Sequence, residues 1–218
     1  MDPMEMLNKK IGNGREYRRT ADFEIRKLES GEESEKKSVH GYATVFGEEY
    51  PLWDWGDYRV MEQIDKHAFD DCDMSDVIMQ YDHQGRVFAR VSNETLKLSV
   101  DERGLAVDAD LGGTQLGTEV YEEIKGGYTT KMSFGFKVAS DTRTIETDHE
   151  NNITTVHRTI TKISKLFDVS AVSLPANDGT EISARSYTEG VIRELEAERL
   201  RAKEEERKKT ILKIMLEV

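Results

Sequence analysis

The stretch TTKMSFGFKV (129–138) places a serine on an apolar strand beside a glycine. Side chains alternate between the two faces of a strand, so Ser133 and Gly135 share one face while the methionine and both aromatic residues share the other. Two interpretations fit: a half-buried strand with an incidental serine on its wet face, or a nucleophile with room made around it by Gly135. Such a serine reacts only if a histidine abuts it and a third group fixes the imidazole tautomer.

Candidates for those two groups come from a turn and from a later strand. His83, in YDHQG, is the histidine that directly follows an apolar strand in a short turn, where a general base can be held over a cleft. Turn histidines are common, so the same position also fits an ordinary surface residue. Asp168, in LFDVSAVSLPA, faces away from Phe167 and Val169. It suits either a carboxylate that orients a histidine or an acid on an exposed sheet face.

Composition narrows the class of protein. The 218 residues predict one domain with an appendage, and 37% apolar against 34% charged residues predicts that part of the chain lies outside the core. The formal net charge of −12 argues against nucleic-acid binding. Cys72, the single cysteine, stands in the acidic stretch DDCDMSD, which would raise its thiol pKa and make it a poor nucleophile.

No segment approaches the roughly 20 apolar residues of a membrane span, and MDPMEMLNKK lacks the apolar stretch of a secretory signal. We therefore expect a soluble, cytosolic protein with no membrane partner. No histidine or carboxylate pair matches a metal-ligand spacing, and GGTQLG lacks the context of a phosphate-binding loop. We expect neither a metal nor a cofactor, although a metal enzyme built on Asp82, His83 and Asp168 stays open as an alternative.

The elements that must position these residues are mostly strands, from about residue 38 to 185. The alternation of apolar residues predicts strands at 21–28, 38–47, 58–64 and 129–138, strand–turn–strand at 75–91, a hairpin of TLKLSV with GLAVDADL, and two strand-like runs within 158–177. Helical spacing followed by two glycines predicts a helix at 114–125. We interpret EEYPLWDWGDY (48–58) as an irregular loop that holds two tryptophans, and the polar, Asn-rich stretch 139–157 as a hairpin loop between strands.

We divide the chain into a charged N-terminal segment (1–37), a β-rich domain (38–188) and a C-terminal helical arm (189–218). The arm has an almost entirely charged middle and an apolar tip, TILKIMLEV. A helix that is polar all round does not pack into its own core, so the arm either projects with a docking tip or is a solvated tail.

Together these motifs resemble the prohead (capsid-maturation) serine proteases of tailed phages, which are similar in fold to the herpesvirus assemblins. The resemblance runs from about residue 39 to 185 and includes GYATVFG, RVMEQIDKHAFDD, DVIMQYDHQGRVFARV, GLAVDADL, KMSFGFKV and LFDVSAVSLPAN. MSFGF followed later by DVS-x-V-x-x-PA is its most specific pair.

The resemblance implies a catalytic triad. The family's histidine falls on His83, its nucleophilic serine on Ser133, and its third member, usually a Glu, on Asp168, a carboxylate shorter by one methylene. By analogy with the relatives, backbone N–H groups near 175–177 would supply the oxyanion hole. The implied fold is mainly β, a herpesvirus-protease-like β-barrel with surrounding helices and a long C-terminal helix.

The implied function is serine endopeptidase activity in capsid maturation, inside the prohead in the bacterial host cytoplasm. Its implied partners are the major capsid protein with its scaffolding segment and the protease itself, through autoprocessing and possible homo-oligomer formation. A catalytically inactive capsid-assembly or scaffold-associated protein with the same fold is the alternative, since it would need no intact triad.

Overall fold

The computed structural model of the protein describes residues 15–24, 37–172 and 182–216. Within these ranges the chain forms, in order, β1 (Glu16–Glu24), β2 (Ser38–Val45), β3 (Tyr50–Trp55), β4 (Tyr58–Ile64), β5 (Ile78–Tyr81), β6 (Gln84–Arg90), β7 (Leu96–Val100), β8 (Gly104–Asp110), α1 (Gln115–Lys125), β9 (Lys131–Asp148), β10 (Ile153–Val172) and α2 (Ile182–Leu216). The expected mainly β class with a long C-terminal helix is therefore correct.

All ten strands belong to one sheet. Its main path runs β3-β4-β10-β9-β1-β2-β8-β7. The long strand β10 pairs with β9 along one edge, and along the other edge with β4 (at residues 154–160) and then with β5 (at residues 168–171), both parallel. No ladder joins the two ends of the path among the described residues, so the β-barrel stays a prediction.

The elements predicted from strong local signals are found. Strands β7 and β8 form the expected antiparallel hairpin. Helix α1 begins after Thr114, whose side-chain oxygen accepts a hydrogen bond from the Gly117 backbone N–H at 2.9 Å, as an N-cap does. The glycine stop signal is also present, since Gly127 has a φ of +75° that a side chain would make costly.

Two predicted loops are instead strands. Residues 48–58 contain β3 and a tight turn at Gly56, and β3 pairs with β4. Residues 139–148 continue β9 and pair with the first part of β10, which leaves only 149–152 as a turn. This ribbon is exposed along most of the β9 side, so its residues are polar although they are paired. The polar composition of 139–148 suggested a loop because composition reflects whether side chains are buried, and not whether the backbone is paired in a sheet.

The apolar core lies on the face of the sheet that carries Met132, Phe134 and Phe136. These side chains are fully buried, and the two phenylalanine rings stack with centroids 4.6 Å apart. The β5–β6 hairpin and helix α1 pack against the same cluster through Met79, Phe88, Val120 and Ile124. The core thereby fixes the position of the hairpin that carries His83.

Among the side chains that the structure describes, helix α2 packs against the apolar side of the sheet near Val191, and Arg199 further along donates to Asn152 in the β9–β10 turn at 3.0 Å. Val191 is buried against Leu52, Val60 and Val156, whereas residues 196–210 are almost entirely exposed. The described middle of the helix is thus solvated, as its charge predicted. The side chains of the apolar tip TILKIMLEV, from residue 211 onward, lie outside the described residues. No helix within the described ranges combines the length and the apolar character needed to cross a membrane.

The first strand lies earlier than the sequence predicted. Strand β1 starts at residue 16 rather than 21, and 25–28 lie outside the described residues. It pairs with β9 over most of its length and with β2 at its end. Part of the segment assigned to a charged N-terminal extension is therefore a central strand of the sheet. The division at residues 37 and 188 stays a prediction.

A buried ion network holds β1 in place. Arg18 of β1 and Arg158 of β10 share the carboxylate of Glu62, with Nη2–Oε2 and Nη1–Oε2 distances of 3.0 and 2.8 Å. Arg158 also binds Glu16 at 3.0 Å. Tyr50 donates its hydroxyl to Glu62 at 2.7 Å. Because buried charges are costly unless they are paired, this network fixes the position of β1 relative to β4 and β10.

The charged neighbours in this network also shift the pKa values of Glu16 and Tyr50. Burial would raise the pKa of the Glu16 carboxyl, but the neighbouring guanidinium groups of Arg18 and Arg158 outweigh it, so that the pKa is lowered. Burial raises the pKa of Tyr50 well above its usual value, and the adjacent Glu62 carboxylate raises it further. Both shifts favour the protonation states present at neutral pH.

We expect Arg158→Met to lower the free energy of unfolding by about 3–5 kcal/mol, because it leaves buried carboxylates without their cation. Urea denaturation measures the change. Arg143→Met is the matched control, since Arg143 is an exposed residue of β9 that lies 3.5 Å from Glu194, and it should cost no more than about 1 kcal/mol. Equal costs would contradict a buried network.

The lowered pKa of Glu16 predicts a pH dependence of stability. A depressed pKa in the folded state contributes stability above the unfolded value, near 4.5, and the contribution disappears as the pH falls through the folded value. We therefore expect the stability of Glu16→Gln to fall less steeply than that of the wild type below about pH 4.5. Thermal melts across this range test it, and parallel curves for the two proteins would refute the assignment.

Candidate active site

Ser133 lies near the start of β9, between β10 and β1. Its register partners are Ser170 on β10 and Arg19 on β1. Strand alternation puts it on the face opposite the phenylalanine core, as predicted, but that face is not wet, since Ser133 is only 2% exposed. The interpretation of an incidental serine on a solvated face is therefore wrong. A buried hydroxyl needs a hydrogen-bond partner, which directs attention to the groups around it.

His83 occupies the two-residue turn between β5 and β6. Both turn residues have positive φ, +47° at Asp82 and +58° at His83, which is the backbone that a tight type I′ hairpin turn requires. Asp and His are among the few non-glycine residues that tolerate it. Because β5 runs parallel to β10 and the Asp82 N–H donates to the Ala171 carbonyl at 2.9 Å, the turn is fixed beside the end of β10.

Asp168 lies on β10 two residues before Ser170, so the two side chains share one face. Its cross-strand partner on β9 is Gly135, two residues after Ser133. Because Gly135 has no side chain, nothing on β9 stands directly beside the carboxylate. The glycine next to the serine therefore provides space for the acid as well as for the serine. Asp168 is completely buried.

The structure brings the three predicted site residues together. His83 Nε2 lies 2.5 Å from Ser133 Oγ, and His83 Nδ1 is hydrogen-bonded to Asp168 Oδ1. The imidazole thus joins a hydroxyl on one strand to a carboxylate on the next. This arrangement fits the tautomer with its hydrogen on Nδ1, which leaves Nε2 free to accept the serine proton. The shorter side chain of an aspartate is sufficient for the contact.

The Ser170 hydroxyl and the Arg18 carbonyl form further hydrogen bonds with these three residues. Ser170 Oγ accepts from the His83 backbone N–H and lies within donating distance of Asp168 Oδ1, both at 3.3 Å. Ser133 Oγ also lies 2.9 Å from the main-chain oxygen of Arg18 on β1. A hydroxyl has one hydrogen to donate, so the Arg18 carbonyl competes with His83 for it.

Asp168 Oδ2 is a buried atom with no hydrogen-bond partner among the described residues. Arg15 Nη1 lies 3.8 Å from it. The Arg15 guanidinium stacks on the ring of Phe167 at 3.9 Å. Coulomb attraction at this distance compensates part of the buried negative charge without a hydrogen bond. Arg15, the residue just before β1, therefore takes part in the electrostatics of the site.

Sequence reasoning found the three principal residues and missed these supporting groups. Ser170 had a signal, since two-residue alternation places it on the face of Asp168. Arg15 and the Arg18 carbonyl had none, because both depend on how β1 pairs with β9. The oxyanion donors predicted at 175–177 lie outside the described residues.

Other candidate groups lie elsewhere. Burial, with a smaller contribution from the neighbouring Asp73, raises the pKa of the Cys72 thiol to about 11. The prediction of a poor nucleophile holds, although burial is a larger cause than the acidic stretch. His40 pairs with Asp108 and His67 with Asp70. His157 lies between two carboxylates, with Glu49 at 2.8 Å and Glu146 at 3.8 Å. Within 15–24, 37–172 and 182–216, no three metal-ligating side chains converge.

Comparison with known proteins assigns the chain to a family. The sequence pattern of the family described as "Caudovirus prohead serine protease" matches residues 21–191. No curated protein and no solved structure matches the chain. Because the matched residues make up well over half of the sequence, the chain belongs to the caudovirus prohead serine protease family. The resemblance inferred from the motifs is confirmed.

The ion pair at Asp168 generates a test. We expect Arg15→Gln to lower the free energy of unfolding by about 1–2 kcal/mol, because the buried carboxylate loses a nearby cation while Arg15 itself is partly exposed. The cost should be smaller in the Asp168→Asn background, where only the contacts of Arg15 other than the ion pair, such as its stacking on Phe167, are lost. A double-mutant cycle by urea denaturation measures this coupling. Additive effects of the two substitutions would show that Arg15 does not act through Asp168.

Proposed function

We propose that this member of the caudovirus prohead serine protease family is a serine endopeptidase in which Ser133 is the nucleophile, His83 the general base and acid, and Asp168 the group that orients the imidazole. The observation that carries the proposal is the His83 ring, which contacts Ser133 Oγ through Nε2 and Asp168 through Nδ1. Family membership supports the same reaction class, peptide hydrolysis by a serine.

The first half of the reaction forms an acyl-enzyme. Ser133 Oγ attacks the peptide carbonyl carbon as its proton passes to His83 Nε2, which leaves an imidazolium beside the Asp168 carboxylate. The proton then moves from Nε2 to the amide nitrogen, the C–N bond breaks, and the amine product leaves. Asp168 stays ionised throughout and stabilises the imidazolium.

The second half reverses these roles with water. His83 Nε2 accepts a proton from a water molecule that attacks the ester carbonyl, and returns it to Ser133 Oγ as the ester bond breaks. The Arg18 carbonyl opposes the first step in this geometry, since it holds the serine hydrogen away from Nε2 for part of the time. Catalysis therefore favours the hydroxyl rotamer that donates to His83.

As substrates we propose the scaffolding segment of the major capsid protein and the protease's own chain, cleaved within the prohead in the host cytoplasm. Family membership implies association with capsid proteins in general. The exposed residues 196–210 of helix α2 suit self-cleavage, since proteolysis concentrates in exposed segments. The herpesvirus-protease-like barrel and formation of a homo-oligomer belong to the same proposal.

The test compares the purified wild-type chain with Ser133→Ala by intact-mass spectrometry during incubation, alone and with a capsid protein that carries its scaffolding segment. We expect time-dependent trimming of the wild type and none of the variant, because loss of such a nucleophile costs on the order of 10⁶ in rate. Ser140→Ala is the matched control, the same substitution at an exposed serine of the same strand.

Each outcome discriminates between classes of function. Identical fragments from wild type and Ser133→Ala would point to a contaminating protease and favour a non-catalytic assembly role. Loss of cleavage on addition of a chelator would favour a metal enzyme at Asp82, His83 and Asp168. Covalent labelling of Ser133 by a serine-directed reagent, in the presence of chelator, would exclude that alternative.

A further inference from the structure

A cleft opens beside the turn that carries His83, and the reaction proposed above does not use it. Its volume is about 420 Å³, and it lies between the β5–β6 hairpin and helix α1. Asp82 and Gln84, the two neighbours of His83, both line it. The cleft therefore begins one residue from the proposed general base. It is large enough for a long side chain but small for a folded partner.

The floor of the cleft is apolar. Phe88 of the hairpin and Val120 of the helix form it and are almost fully buried, while Leu116 stands at the margin and is 39% exposed. Tyr81 also lines the cleft, and its hydroxyl lies 3.4 Å from Thr129 Oγ1, shortly before β9 begins. Such a floor suits methylene groups rather than a hydrated ion.

The rim is acidic. Asp82, Glu119 and Glu123 supply three carboxylates and Arg86 supplies one cation, so the cleft has a formal charge of −2. Glu119 and Glu123 lie one helical turn apart on the same face of α1. Neither forms an ion pair with a lysine or arginine of the described residues. Glu119 accepts from the Gln115 side chain at 3.2 Å, and Glu123 lies 3.5 Å from Thr129 Oγ1.

The strand that borders the cleft has an edge that no other described strand covers, although the Gly85 carbonyl already accepts from the Gln80 side chain at 3.2 Å. On β6 the four residues 85–88 stand opposite the single residue Gln80 of β5, between the pairs Tyr81–Gln84 and Met79–Ala89. Gly85, Arg86 and Val87 are exposed in this bulge, and β6 pairs with no strand other than β5 among the described residues. Unpaired strand edges of this kind bind extended peptides.

We propose that this cleft is a substrate subsite that selects a lysine or arginine close to the bond that is cleaved, an inference that rests on the proposed function. The aliphatic stem of the basic residue lies on Phe88, Val120 and Leu116, and its cationic end lies between Glu119 and Glu123. The exposed bulge of β6 binds the adjoining substrate backbone. The preferred substrate is therefore a peptide segment with a basic residue at one fixed position.

The experiment uses the full chain and a proteome-derived peptide library, with new termini identified by mass spectrometry. We expect cleavage sites of the wild type to be enriched in Lys or Arg at one fixed position relative to the cut. In Glu119→Gln/Glu123→Gln this enrichment should fall by about five- to tenfold, the effect of losing two partly exposed ion pairs.

The matched control is Glu122→Gln/Glu150→Gln, which removes the same charge from exposed residues that do not line the cleft. It should retain the wild-type preference. Cleavage without basic enrichment, or an unchanged preference in Glu119→Gln/Glu123→Gln, would overturn the subsite while leaving the peptidase proposal intact.

A binding measurement separates failure of the subsite from failure of the enzyme. The ¹⁵N-labelled Ser133→Ala variant is titrated with N-acetyl-lysine N-methylamide and with its norleucine analogue, and backbone amide shifts are followed by NMR. We expect saturable shifts around Gly85 and residues 116–123 for the lysine compound only. Equal shifts from both compounds, or none from either, would overturn the proposal even if no peptide is hydrolysed.

Discussion

The site depends on one constraint of pairing: β5 must lie parallel to the last residues of β10. That register places the two-residue turn between β5 and β6 beside the end of β10. The turn holds the His83 imidazole between Ser133 on β9 and Asp168 on β10. The serine and the carboxylate are both buried in the sheet, where an unpaired polar group is costly. His83 satisfies both at once, so the hydrogen bonds that would support catalysis also support folding.

A second buried system holds the neighbouring strand. The network of Arg18, Glu62 and Arg158 joins β1 to β4 and β10, and β1 brings both the Arg18 carbonyl and Arg15 to the site. The charges that fix β1 are on the core face of the sheet, while Ser133 is on the other. Coupling between the two faces passes through the backbone of β1, because its carbonyl oxygens lie in the plane of the sheet and reach the adjacent strand.

The sequence was informative wherever local chemistry decides the structure. Alternation along β9 and β10 assigned faces to Ser133 and Asp168, and the capping Thr114 and the glycines after Lys125 defined α1. It failed where long-range pairing decides. The polar ribbon at 139–148 resembled a loop because few of its side chains are buried, and the pairing of residues 50–55 with β4 has no signal in their local sequence. The start of β1 and the role of Arg15 could not be predicted either, because a charged segment has no local signal for the strand with which it pairs. To predict that His83, Ser133 and Asp168 lie close together required the family resemblance as well as the pattern of alternating residues.

The nearly complete enclosure of Ser133 has a kinetic meaning. In the proposed reaction a polypeptide cannot reach the side chain of Ser133 while the residue is only 2% exposed, so part of its cover has to move before a bond is cut. On that proposal, turnover at saturating substrate cannot exceed the frequency of this opening. A small acylating reagent needs a smaller opening than a peptide substrate does. Its rate of reaction with Ser133 would therefore report the reactivity of the serine separately from the movement that admits a peptide.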